Sequence, residues 1–180
     1  AAIYGDAAIA AMSIVNRSCM FIFCICIGIG QGFQPVVGFN YGAGKYERVK
    51  KSFKITLIIS ILALGIPGII GFIYSYKVIA LFCNEKLVIE IGSLALRLEC
   101  MALFVMPISV CSNMLFQSCG YSKEATILAS TRSGLCFIPL ILILPHFMGV
   151  LGIQLAQPIS DCLASIIAIP IVLKFFHRLS

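Results

Sequence analysis

ITLIISILALGIPGIIGFIY, Ile55–Tyr74, is twenty residues without a charge. A membrane-spanning strand alternates apolar and polar positions over segments of about ten residues. This run does not alternate. It is apolar on nearly every side and long enough to cross the roughly 30 Å hydrocarbon core as a helix. Its flanks, Lys54 before it and Lys77 after it, are where the charges resume.

The rest of the chain repeats the pattern. Uncharged stretches run over 18–44, 55–76, 100–122 and 133–160, each beyond the 18 or so residues that suggest a span. Hydrophobic residues make up 61% of the 180 and charged residues only 11%, against the roughly 45–50% apolar composition usual for soluble chains. The expected fold is an all-α membrane protein, one unit over 1–180. Its five spans are placed at about 7–40, 53–81, 88–118, 123–146 and 150–174, joined by short loops. The start, AAIYGDAAIA, has no basic leader and no cleavage motif, so the chain reads as a piece of something longer.

Basic residues choose an orientation. One set of helix ends carries Lys45, Arg48, Lys50, Lys51, Lys54, Lys123, Lys174 and Arg178; the other carries Lys77 and Lys86. By the positive-inside rule the first set is cytoplasmic, which starts the chain outside and ends it inside. The net charge of +6 is thereby read as a topology signal in contact with the bilayer, and no nucleic-acid partner is expected.

Polar groups at membrane depth are costly and need a partner or a function. GQGFQPVVGFNYGAGKYERVKK, Gly30–Lys51, places Gln31 and Gln34 on one helix face. Pro35, which cannot bond the Gln31 carbonyl, should kink the helix. Gly28 with Gly32, and Gly38 with Gly42, should let neighbouring helices approach. Further on, Glu99, Met106, Ser109, Asn113 and Gln117 fall within about 80° of one another on a continuous helix, with Arg97 opposite. The last span repeats the device: Gln154, Gln157, Asp161 and Ser165 share a face beside Pro158. Asp161 lies roughly 15 Å down that helix, where a carboxylate needs neutralising. A proton or sodium site fits, as does a fixed pair with Arg17 or Arg132. Glu99 is a second ion-coupling candidate, with a structural ion pair as the alternative.

Nine cysteines sit mostly inside apolar runs and lack zinc-ligand spacing, so they are read as small hydrophobes and no metal site is assigned. GIGQG opens no strand–turn–helix unit, and no catalytic constellation is present. An enzyme is not expected, nor any cofactor beyond a coupling ion.

Taken in order, GQGFQPVVGFNYGAGKYERVKK, MLFQSCGYSK (Met114–Lys123), TRSGLCFIPLILILP (Thr131–Pro145) and GVLGIQLAQPISD (Gly149–Asp161) resemble the multidrug and toxic compound extrusion (MATE) transporters, in particular their bacterial MepA-like branch. The resemblance covers essentially the whole chain. It implies helices eight to twelve of a twelve-helix, two-lobed transporter of the bacterial inner membrane, the first lobe being its missing partner. It also implies exchange of cationic, amphipathic small molecules for protons or sodium ions. On that basis Gln31, Gln34, Met106, Ser109, Asn113 and Gln117 are the expected chamber lining, Asp161 and Glu99 the coupling carboxylates, and Pro35 the bend. Sodium-coupled members carry an acid partway along the tenth helix; here PISVC puts Ile108 and Ser109 there, so that site is not carried over. A lipid-linked oligosaccharide flippase of the same superfamily, with a cationic chamber, is the alternative. So is a membrane remnant or scaffold whose polar stripes only join helices.

Overall fold

The computed structural model describes residues 5–179, which are helical with short connections and contain no strand. The elements are α1 (Asp6–Gly42), α2 (Tyr46–Ile73), the short α3 (Ser75–Ala80), α4 (Lys86–Ala102), α5 (Met106–Ser118), α6 (Ser122–Ser130), α7 (Phe137–Met148) and α8 (Val150–Arg178). Four segments are long and apolar enough to span a membrane: α1, α2, Ser122–Met148 and α8. The pair α4–α5, bent by 50°, makes a fifth.

That broken span is the centre of the molecule. The α1–α2 hairpin packs on one side of α4 and α5, and α8, paired with α7, packs on the other. The break has a local cause. Pro107 opens α5, and its ring and missing N–H conflict with the carbonyl of Leu103 four residues earlier. The helix therefore stops at Ala102. A turn carries the chain across, with Val105 N–H on the Ala102 carbonyl at 3.0 Å. The Val105 carbonyl accepts Ser165 Oγ of α8 at 2.8 Å, so irregular backbone at membrane depth is met by protein, as it must be in lipid. The sequence pattern expected one helix over 88–118 and a kink at Pro35; Pro35 lies inside α1, and the break in this span is at 103–105.

A second irregularity divides the fourth span. Residues Thr131–Leu135 form a π-helical turn in which Cys136 N–H bonds the Thr131 carbonyl at 3.0 Å. Drawn one residue too far back, that donor misses its usual acceptor, Arg132. Ser160 Oγ donates to the Arg132 carbonyl at 2.8 Å instead.

Buried side chains face the helix contacts, whereas α2 and α7 turn Ile58, Leu62, Ile66, Ile138 and Leu142 outward. No residue of α7 is buried, the pattern of a lipid-facing helix. The helix in the region expected to span over 53–81 runs Tyr46–Ile73 and is followed by the short α3. Glu47 and Lys50 pair one turn apart at 3.1 Å, so the basic run is helical. At this end Tyr41, Phe116, Tyr121, Phe175 and Phe176 form a ring-on-ring cluster with centroids 5.1–6.3 Å apart. Tyr41 and Tyr121 hydroxyls lie 3.1 Å apart. The cluster ties the C-terminal ends of α1, α5 and α8 together, beside Lys45, Lys123 and Lys174 of the basic set.

The glycines used for close approach are not those the spacing picked out. Gly28, Gly32 and Gly42 face open space, and Gly38 has only ordinary contact with the Ser118 carbonyl. At Gly152 a Cβ would collide with the backbone of Leu144 and Pro145, which allows α7 and α8 to close into a tight hairpin around Gly149 (φ 59°).

Candidate functional site

The membrane-depth polar residues gather around two neighbouring cavities. One face of α1, Asn16, Cys19, Met20, Phe23, Ile27 and Gln31, runs past both. The first cavity, about 300 Å³, takes Gln31 from α1, Ser109, Asn113 and Gln117 from α5, and Arg132 from the π turn. Its amides are linked: Gln117 Nε2 donates to Asn113 Oδ1 at 3.3 Å, and Gln34 Nε2 donates to Gln117 Oε1 at 3.1 Å. Gln34 thus reaches the chamber residues through Gln117.

The second cavity, about 420 Å³, holds the acids. Glu99 of α4 and Asp161 and Gln157 of α8 line it with Asn16, Phe23, Met106 and again Arg132. Arg132 Nε donates to Asp161 Oδ1 at 2.8 Å, and Gln157 Nε2 approaches Asp161 Oδ2 at 3.4 Å. Arg132 also donates through Nη2 to Met106 Sδ at 3.2 Å and stacks on Phe23, its guanidinium carbon 4.5 Å from the ring centroid. Asp161 is 2% exposed and Glu99 6%. Among the described residues Glu99 has no ion-pair partner, so two carboxylates face one guanidinium. That arrangement has room for one more positive charge.

Of the two arginines offered as partners for Asp161, Arg132 is the one in place. Arg17 is exposed and lines a separate depression with Phe82 and Cys83. The stripe expected on one continuous helix is divided by the break: Ser109, Asn113 and Gln117 face the first cavity, Met106 and Glu99 the second. Arg97, predicted opposite, does point away, donating to Ser75 Oγ at 2.8 Å. On α8 only Gln157 and Asp161 reach the cavity. Gln154 is buried, with Nε2 on the Ile91 carbonyl at 3.0 Å, and Ser165 serves the break; both join helices.

The sequence reasoning passed over Asn16 and Phe23. Their signal was present: with Ile27 and Gln31 they recur at 16, 23, 27 and 31, one helical face, but an apolar residue such as Phe23 is hard to tell from lipid-facing neighbours by spacing alone.

Comparison with known proteins assigns this five-span bundle to a family. The MatE family model matches residues 1–143, most of the chain. This chain belongs to the MatE family. Its similar relatives include the multidrug export protein MepA of Staphylococcus saprophyticus, 24% identical over 177 residues, and that of Staphylococcus aureus strain bovine RF122, 27% identical over 178. Each match takes in 98% of this chain and 39% of the relative, so the chain spans about two fifths of their length. Among solved structures, the inward-facing and outward-facing conformations of a multidrug resistance MATE family transporter superpose with TM-scores of 0.87 and 0.90, at 18% and 19% identity. They cover 96% and 97% of this chain and 42% and 40% of those chains. At such identities the likeness is one of fold. The MatE lobe seen here is a MepA-like one, in a multi-pass bacterial membrane setting.

Proposed function

We propose that the chain is the C-terminal lobe, helices eight to twelve, of an antiporter that exports cationic, amphipathic small molecules in exchange for protons or sodium ions, with its N-terminus outside and its C-terminus in the cytoplasm. The observation that carries this is the excess of one carboxylate over guanidinium in the Glu99–Asp161–Arg132 cavity. The name of the MepA relatives, multidrug export protein, supports the direction and the cargo class. A proton or sodium ion on the spare carboxylate neutralises the cavity; an organic cation does the same, so the two exclude each other electrostatically. Mutual exclusion at shared carboxylates couples the flux of one to the counterflux of the other. The lobe presents Gln31, Ser109, Asn113 and Gln117 to the cargo, with Met106 as adaptable apolar contact. Alternating access comes from movement against the N-terminal lobe, the parallel-repeat arrangement of transporters.

The test is ethidium efflux by the full-length protein in vesicles with an imposed proton or sodium gradient. Gradient-driven efflux that fails in Glu99→Gln and Asp161→Asn supports the assignment; efflux independent of both residues overturns it. The flippase reading needs a free cation to hold a diphosphate. Pairing of Arg132 with Asp161 counts against it.

A further inference from the structure

Arg132 and Phe23 line both cavities, and the surroundings of Arg132 are those of a cation-binding site already filled. An aromatic face, a carboxylate and a polarisable sulfur are what a low-dielectric pocket offers an organic cation. Here all three converge on the chain's own guanidinium: the Phe23 ring at 4.5 Å, Asp161 Oδ1 at 2.8 Å and Met106 Sδ at 3.2 Å. The cavity around it, about 420 Å³, is of ligand size, and Glu99 brings a second carboxylate that Arg132 does not use. The neighbouring cavity offers the same side chain an alternative set of acceptors, the side-chain oxygens of Gln31, Ser109, Asn113 and Gln117. The backbone beneath it is anchored. Cys136 N–H and Ser160 Oγ fix the π turn, an irregularity that recurs at functional sites, so relocation needs only rotation of a long side chain.

We propose that Arg132 is a built-in competitor for the cargo. Its guanidinium occupies the organic-cation position between Phe23, Asp161 and Met106. A cationic ligand binds there, against Asp161 and Glu99, by displacing Arg132 into the amide-lined cavity. The inference rests on the proposed handling of organic cations by this lobe. Ligand affinity is then reduced by the fraction of time the guanidinium is away, which keeps the carboxylates satisfied when no cargo is present.

The experiment titrates ethidium into the full chain in lipid nanodiscs, following its anisotropy, for the wild type, Arg132→Gln and Arg132→Lys. Arg132→Lys keeps the charge and the ion pair but lacks the planar fork that stacks and bonds at once, making it a weaker occupant. Competition predicts tighter binding in both, by about tenfold in Arg132→Gln, if the native guanidinium vacates the site about a tenth of the time, and by a smaller factor in Arg132→Lys. Methylguanidinium should then displace ethidium from Arg132→Gln at concentrations that leave the wild type unaffected. Tighter binding in Arg132→Gln alone, with Arg132→Lys equal to wild type, overturns the proposal in favour of simple charge repulsion. Unchanged or weaker binding in Arg132→Lys overturns it equally if Arg132→Gln does not fold. Absence of ethidium binding in the wild type and every variant instead removes the organic-cation reading on which the proposal stands.

Discussion

Asp161 and Glu99 look equivalent in composition but not in surroundings. Asp161 holds Arg132 and Gln157, and its own helix packs across the break; Glu99 faces the same cavity with no ion-pair partner among the described residues. Their replacements should therefore differ. Glu99→Gln removes the spare charge and leaves the Arg132–Asp161 pair standing, so gradient-driven efflux should fall by about tenfold or more, a loss of at least 1.4 kcal/mol, with thermal stability retained. Asp161→Asn leaves a half-buried guanidinium without its carboxylate, at a cost below the roughly 3–5 kcal/mol of breaking a fully buried pair. It should lower both efflux and melting temperature. Purified variants compared by thermal melting and by efflux will separate the two cases. Arg132 needed the structure for its assignment. The sequence offered two arginines within spans, and only the packing of the π turn on α8 shows which one meets the acid.

The elements divide into those legible from residues and those set by contacts between helices. The first two spans, α1 and α2, were plain in the uncharged runs 18–44 and 55–76. The break before Met106 was not, although Pro107 stood in view. Proline 35, 67, 145, 158 and 170 all lie inside continuous helices, so a proline alone does not announce a break. At Pro107 the difference is the Ser165 hydroxyl on the Val105 carbonyl, an interaction 60 residues away in sequence. Replacing Pro107 by Ala should let helix run through Leu103–Val105. With α4 and α5 about 25 and 20 Å long, straightening the 50° bend lengthens the span by about 4 Å, readable as a distance between spin labels at its two ends. An unchanged distance would mean that α8, not the proline, enforces the bend. The α7–α8 hairpin makes a simpler prediction. A Gly152→Val side chain meets the backbone of Leu144 and Pro145, and overpacking of this kind costs about 1–3 kcal/mol, visible as a lower melting temperature.

At the scale of the whole lobe, the aromatic cluster adjoins the first cavity, Phe116 of the one preceding Gln117 of the other on α5. The aromatic cluster of Tyr41, Phe116, Tyr121, Phe175 and Phe176 binds three helix ends into one body beside the basic residues, while the two cavities lie deeper along the same helices. Phe175→Ala should cost about 3 kcal/mol, the low end for truncating a buried aromatic, and leave ethidium binding within the scatter of the wild type. The same fold appears in the inward-facing and outward-facing solved structures. Spacing on single helices foretold that polar faces exist. It did not foretell that they split between two cavities, since that division follows from the bend and from the depth at which α1 crosses both.

The most direct test of the account is ethidium efflux from vesicles holding the full-length protein, with proton and sodium gradients imposed one at a time. The account predicts efflux driven by at least one of the two gradients and lowered by about tenfold or more in Glu99→Gln. Efflux that ignores both gradients, or that survives in Glu99→Gln at the wild-type rate, would contradict it.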